Sequence, residues 1–302
     1  MSAIAIAMKR QIQVALILAM SLGLGGGPDA IAGSSRSKSA KHSARTVSIE
    51  DNSRVQAWIH YFTQRDRERF QRFLSRGSRY KSLVQSILKK NGLPEEFYYL
   101  AMIESGYVTH ARSHAHAVGI WQFIAATGKQ YGLLQNGEVD ERRDVVRATQ
   151  AAALYLKDLY RTYRSWPLAM AAYNAGEGRI NQAIQRAGTR NFWTLARRGF
   201  LPNETENYVP KFYAAALIGK NPTKYGLQIS LQPELKFPKK MSVRGGTSLQ
   251  VVAQRTGVSV EVLQSLNPHL RASRVPSSMK RYSLWVPKGT STSASSARLA
   301  QE

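Results

Sequence analysis

The 302-residue sequence contains no cysteine. That absence excludes a disulfide framework, a thiolate metal site, a cysteine nucleophile and lipid attachment through an N-terminal cysteine. A thiol-free chain is also at ease in an oxidising compartment. Acidic residues are scarce: 19 Asp and Glu stand against 43 Lys and Arg, a formal charge of +24. A field of that size draws polyanions, whether nucleic acid, an anionic membrane surface or a carboxylate-rich polymer. The apolar run from Ile12 to Leu24 breaks at Gly25-Gly26-Gly27-Pro28, short of the roughly 20 residues that span a bilayer. Strand signals are few before residue 220, so the main domain is expected to be all-α.

What the N-terminus does contain is the three-part layout of a secretory signal peptide. Lys9-Arg10 precede the apolar stretch, and Ala30-Ile31-Ala32 supplies a small-x-small cleavage site. A signal peptide is therefore drawn over 1–32, its layout beginning at Met8, with an uncleaved anchor as the alternative. Export argues against a nucleic-acid partner. It turns the charge towards envelope polymers, in the periplasm or cell envelope, and towards an anionic outer-membrane surface as a further partner. Residues 33–48 are rich in Ser, Lys, Arg and Ala and lack any acidic or aromatic residue. A disordered basic leader is drawn over 33–51.

Helical periodicity starts at Val55. Phe70, Phe73 and Leu74 share a face, as do Leu83, Val84, Ile87 and Leu88. Asn91-Gly92-Leu93-Pro94 reads as a stop followed by a start. Further helices are expected over 144–163, up to Tyr173, and from about Val209 to Gly219. Pro222, Pro233 and Pro238 mark a linker over 227–241. Residues 242–288 change character, with helical turns over Leu249–Arg255 and Val260–Leu266 and a closing strand Tyr282-Ser283-Leu284-Trp285-Val286-Pro287. The last residues, 289–302, read as a loose tail.

Glu104 is the sharpest single feature. It follows Phe97-Tyr98-Tyr99-Leu100-Ala101-Met102-Ile103 and stands just before Gly106, where the helix is expected to end. Desolvation and a helix C-terminus both disfavour its charged form. A carboxyl that keeps its proton near neutral pH is what a general acid for glycosidic cleavage requires. A surface glutamate at a frayed helix end is the bland alternative. No acidic residue occurs over 105–123, although Asp140, Asp144 or Glu204 could be brought in by folding. His110, His114 and His116 have a spacing that a helix could turn into a metal site, but no acidic partner is near. They read as loop histidines, and neither metal nor cofactor is expected.

Four ordered segments carry a resemblance. They are Glu104-Ser105-Gly106 through Gly119-Ile120-Trp121-Gln122, Asp140-Glu141-Arg142-Arg143-Asp144, Ala171-Ala172-Tyr173-Asn174-Ala175-Gly176, and Glu204-Thr205-Glu206-Asn207-Tyr208-Val209. Together they resemble the lytic murein transglycosylases of goose-type-lysozyme-like fold (SLT, family 1), nearest to the membrane-bound D type, from about Asn52 to Gly226. The resemblance implies a lysozyme-like domain over 52–226, with an N-terminal helical extension to about residue 90. It implies Glu104 as catalytic acid/base and Ser105 orienting it or contacting the sugar. Gln122 and Tyr173 would line the saccharide cleft, Asn174 would shape the turn beside it, and Glu204 and Tyr208 would lie near it. Peptidoglycan glycan strands would be the substrate. Cleavage of the N-acetylmuramic acid–N-acetylglucosamine β-1,4 bond would then be non-hydrolytic, leaving 1,6-anhydro ends.

The segment beginning Val243-Arg244-Gly245-Gly246-Thr247-Ser248-Leu249, with Leu266-Asn267-Pro268 and Val286-Pro287 downstream, is similar to the LysM repeat. Gly246 stands where that repeat has Asp, and the last loop is long and basic. Glycan binding and a purely structural appendage both remain open for it. The expected architecture is thus mainly α: a lysozyme-like all-α catalytic domain, then a small β-α-α-β module of α+β type. Three functions fit: a lytic transglycosylase, a hydrolytic muramidase on the same fold, or a non-catalytic envelope-binding protein.

Overall fold

The apolar run that precedes Glu104 forms helix α4, and its position sets the rest of the architecture. In the computed structural model, which describes residues 46–290, Tyr98–Ser105 form α4. Leu100, Ala101 and Met102 have no exposed surface. A helix apolar all round must be wrapped by others, and burying Leu100 or Met102 contributes roughly 1.5–3 kcal/mol each. Gly106 ends α4 in the left-handed region at φ 58°, a conformation glycine adopts at little cost. A Cβ there would also meet the Phe73 ring at 2.3 Å.

The wrapping elements are α1 (Ser53–His60), α2 (Arg67–Ser78), α3 (Lys81–Lys90), α5 (Ala125–Gln130), α6 (Val145–Tyr163), α7 (Trp166–Ala175), α8 (Glu177–Ala187), α9 (Phe192–Arg197) and α10 (Asn203–Lys220). A π-helical turn, Tyr61–Arg65, joins α1 to α2. Asp144 caps the 19-residue α6, accepting from the Val146 and Arg147 amides, and Ser165 caps α7. Helix α10 starts at Asn203 rather than near Val209. Pro202 precedes it, Glu204 and Glu206 occupy its first turn, and Pro210 lies inside it. Anionic side chains suit a helix N-terminus, so the Glu204–Tyr208 segment is helical and belongs to the same rod as the apolar run. Helices α5 and α9, of six residues each, and α8 lie outside the expected elements, although α8 carries Ile180, Ala183, Ile184 and Ala187 at i, i+3, i+4, i+7 against the core.

The C-terminal module pairs β1 (Lys239–Arg244) antiparallel with β2 (Arg281–Val286), with Lys239 opposite Val286 and Arg244 opposite Arg281. β1 starts inside the segment expected as linker. Helices α11 (Leu249–Thr256) and α12 (Val260–Leu266) cover the sheet. A Cβ on Gly245 would lie 1.8 Å from the Met279 carbonyl, and Gly246, where the repeat has Asp, adopts φ 80°, a backbone that favours glycine.

The module does not hang free. Val139, from the loop before α6, is fully buried in the module's core beside Val243, Leu249 and Leu284. The long last loop makes this contact: Asp140 N donates to His269 O at 2.9 Å and Arg271 N to Glu138 O at 2.9 Å. Trp285 Nε1 donates to Asp144 Oδ2 at 2.6 Å and Tyr282 OH to Glu141 Oε1 at 2.6 Å. Burial pushes the His269 imidazole down to about 4, against the pull of Asp144.

The signal peptide expected over 1–32, most of the leader expected over 33–51 and most of the tail expected over 289–302 lie outside the described residues. Among the described residues, no helix is long and apolar enough to cross a membrane.

Candidate active site

Glu104 reaches the surface only partly, at the C-terminal end of α4. Burial pushes its carboxyl up to about 7. The Tyr208 hydrogen bond and the Lys211 charge pull it down, and the Glu204 charge adds to the rise. Tyr208 OH donates directly to Glu104 Oε1. The phenol itself is held far above its ordinary value by burial and by the neighbouring carboxylate, so it remains a donor.

Glu204, Tyr208 and Lys211 follow i, i+4, i+7 spacing on α10, which places them on one face. Lys211 is the residue the sequence reading missed. Burial lowers its ammonium and Glu104 raises it, while its Nζ lies 5.7 Å from the centre of the half-buried Trp58 ring. The spacing from Tyr208 was the available signal. The expected late start of the helix hid it.

The other expected residues join the same network. Ser105 Oγ lies 3.2 Å from Ala101 O and 3.0 Å from Ile120 O, and accepts from Tyr107 N at 3.1 Å. Its hydroxyl is therefore occupied in fixing the end of α4 to the 119–123 segment. Tyr173 OH donates to Trp121 O at 2.7 Å, and its ring lies 5.2 Å from Tyr155 and 6.5 Å from Phe123. Gln122 stands in the left-handed region at φ 50°, with Nε2 donating to Gly119 O at 2.9 Å. Asn174 bridges to α10: Nδ2 donates to Glu204 Oε1 at 3.1 Å, and Oδ1 accepts from Thr205 Oγ1 at 2.8 Å.

The two distant carboxylates do not reach Glu104. Asp140 is engaged by the Arg142 fork, at 2.9 Å and 2.8 Å, and that fork holds its carboxyl low despite burial. Asp144 is occupied by the α6 amides, Arg147, Trp285 and His269. His110, His114 and His116 lie in the loop between α4 and α5, where Arg112 Nη2 contacts His116 Nδ1 at 2.8 Å.

Residues 82–196 match the family described as Transglycosylase SLT domain, and residues 238–301 match Lytic transglycosylase MltD, LysM-like domain. Glu104, Ser105, Gln122, Tyr173 and Asn174 fall within the first match; α10 lies beyond it. Over 218 residues the chain is 36% identical to membrane-bound lytic murein transglycosylase D of Escherichia coli strain K12, covering 70% of this chain and 47% of that protein. It is 32% identical over 126 residues to peptidoglycan transglycosylase gp16 of Escherichia phage T7, covering 40% of this chain and 10% of that one. An inactive mutant of lytic transglycosylase Slt from Pseudomonas aeruginosa superposes with a TM-score of 0.41 at 21% identity, over 52% of this chain and 26% of that one; so partial an overlap carries no argument. The chain spans about half the length of the Escherichia coli relative. It combines a transglycosylase SLT domain with a C-terminal LysM-like domain of the lytic transglycosylase MltD type.

Proposed function

We propose that this protein is a peptidoglycan lytic transglycosylase in which Glu104 acts first as acid and then as base. The observation that carries the reading is a carboxyl pushed up to about 7 by burial and held by Tyr208, while Asp140 and Asp144 are engaged elsewhere. A retaining or inverting hydrolase ordinarily uses two carboxylates flanking the bond. Here the carboxylate whose charge acts on Glu104 is Glu204, exposed and bonded to Asn174.

Glu104 gives its proton to the glycosidic oxygen between N-acetylmuramic acid and N-acetylglucosamine as the C1–O bond breaks. The acetamido group of the muramic acid supports positive charge at C1. The Glu104 carboxylate then takes the proton of the C6 hydroxyl, whose oxygen bonds to C1 and closes a 1,6-anhydro ring. No water is consumed. Tyr208 and Lys211 stabilise the carboxylate between the two proton transfers. Tyr173, Gln122 and Asn174 line the saccharide cleft, and Ser105 positions the end of α4.

Mass spectrometry of digested peptidoglycan tests this. The expected products carry 1,6-anhydromuramoyl ends; reducing ends formed with water would instead establish a muramidase. The surplus of basic residues holds the chain near anionic wall stems and outer-membrane headgroups. Export to the periplasm or cell envelope and wall contact by the LysM-like module belong to the same reading.

A further inference from the structure

Helix α2 carries Arg72, Arg76 and Arg79 at i, i+4, i+7 spacing, which brings three guanidinium groups to one face. Arg79 is the residue that caps this helix. Alongside α2 the chain returns after Gly226 as a strap with neither helix nor strand until β1. The strap is fastened to the helix. Gln71 Nε2 donates to Gln228 O at 2.6 Å, and the amides of Ser230 and Gln232 donate to the Ser75 and Ser78 hydroxyls at 3.2 Å and 2.8 Å. Helix and strap enclose an open groove of about 660 Å³, lined by the three arginines together with Gln228, Ser230 and Gln232.

Charge in this groove is unbalanced. Three guanidinium groups face one carboxylate, Glu68, which approaches Arg72 only to 3.9 Å with both side chains well exposed. Arg76 and Arg79 are half-buried, and their hydrogen bonds go to neutral acceptors, backbone carbonyls and, for Arg79, the Tyr80 hydroxyl. Arg76 Nη1 donates to Gly106 O at 2.6 Å, and Arg79 Nη1 to Pro233 O at 3.4 Å. Partial burial against neutral acceptors costs a guanidinium solvation without returning an opposite charge. The N–H groups left over are arranged to take carboxylates in pairs. The amide side chains and hydroxyls of the strap add neutral hydrogen-bonding groups of the kind a peptide backbone uses.

One lining residue also ties the groove to the end of α4. The carbonyl that Arg76 binds belongs to Gly106, the cap of α4 and two residues beyond Glu104. Resting on the reading of Glu104 as the centre of a peptidoglycan cleft, we propose that this groove binds the carboxylate-bearing peptide stem of the wall polymer, so that peptide-bearing strands are recognised in preference to bare glycan.

The test uses the full chain with the double substitution Arg72→Gln and Arg79→Gln. Arg76 is kept because it also holds Gly106. An acetyl-capped stem peptide with free carboxylates is titrated calorimetrically, beside its fully amidated counterpart and inorganic phosphate. The unsubstituted chain is expected to bind the free-acid peptide about tenfold more tightly than the double variant, as two partly exposed ion pairs supply. The amidated peptide is expected to lose affinity to the same degree. Equal affinity of the two chains for the free-acid peptide overturns the proposal, as does phosphate binding more tightly than the peptide. Arg161→Gln, an exposed arginine paired with Asp158 at 2.9 Å, controls for net charge and leaves the affinity unchanged. Circular dichroism establishes that the variants fold. The titration needs no bond cleavage, so a failure of Glu104 as the acid would appear in digestion products and leave this readout untouched.

Discussion

Tyr208 donates its phenolic proton to Glu104 Oε1 across the junction of two helices, α10 and α4. The bond opposes the burial that raises Glu104, so the carboxyl is kept near neutrality instead of being driven higher. Tyr208 is 6% exposed, and it serves the core and the carboxyl at once.

Replacing Glu104 with Gln removes the transferable proton and preserves the side-chain volume. General acid–base groups contribute on the order of 10²–10⁴ in rate, and in the proposed mechanism one group performs both transfers. Release of soluble fragments from purified peptidoglycan is expected to fall at least about a thousandfold by that measure. Undiminished release by this variant would remove Glu104 from the chemistry.

The pH profile should move in opposite directions with different neighbours. In the proposed mechanism cleavage needs protonated Glu104, so kcat/KM is expected to be lost as pH rises through about 7. Tyr208→Phe and Lys211→Gln each delete an influence that lowers the carboxyl; the alkaline limb shifts upward, on the order of one pH unit for a lost hydrogen bond to a charged group. Glu204→Gln deletes an influence that raises it, and the limb shifts downward. Identical limbs in all three variants would contradict the electrostatic account.

Stability follows the same carboxyl with a definite sign. Its folded value, about 7, lies above its ordinary 4.5, so the unfolded chain releases this proton first as pH rises. The stability associated with the neutral form is present in full below the unfolded value and is lost as pH climbs through about 7. At pH 8 the ionised group therefore costs on the order of 2–3 kcal/mol. Urea denaturation should find Glu104→Gln more stable than the parent at pH 8 and equal to it at pH 4.

Docking of the module rests on buried polar groups. Trp285→Phe removes the donor to Asp144 and keeps most of the ring, at an expected cost of about 1–3 kcal/mol. Thermal unfolding measures the loss, and limited proteolysis over residues 227–238 should quicken as the module loosens. An unchanged melting temperature would mean that the apolar contact through Val139 suffices.

Electrostatic attachment to the wall carries its own signature. The formal charge of +24 acts through exposed side chains, which salt screens. Binding of the full chain to isolated sacculi should weaken steadily with added salt, measured by pelleting. Salt-indifferent binding would leave the attachment to specific contacts.

Much of the helical domain was legible because apolar spacing reports burial directly. Phe70, Leu74, Leu83, Val84, Ile87 and Leu88 all lie in the core. Glu104 was legible because a carboxyl after seven apolar residues conflicts with simple stability, and local conflicts of that kind mark sites. What escaped was long-range or polar. Lys211 gains its meaning only by facing Glu104 across two helices. Asp144 could be read as an acid for the cleft because its partner Trp285 is 141 residues away, and Asp140 because the neighbouring Arg142 does not by itself announce a bidentate fork. The docked module was hidden for the same reason: Val139, an isolated valine in a polar loop, fills a core built about 100 residues later.

Arg142 gives that docking a mechanical consequence. Its guanidinium binds the Phe123 and His116 carbonyls at 3.1 Å and 3.2 Å, and its own carbonyl lies where a side chain on Gly119 would be. The next residues outward, Asp140 and Glu141, are those the module grips. The wall of the cleft and the seat of the module are thus tied through one buried arginine. The segment carrying Gln122 and the seat of the module therefore share one support, and displacing Arg142 would disturb both.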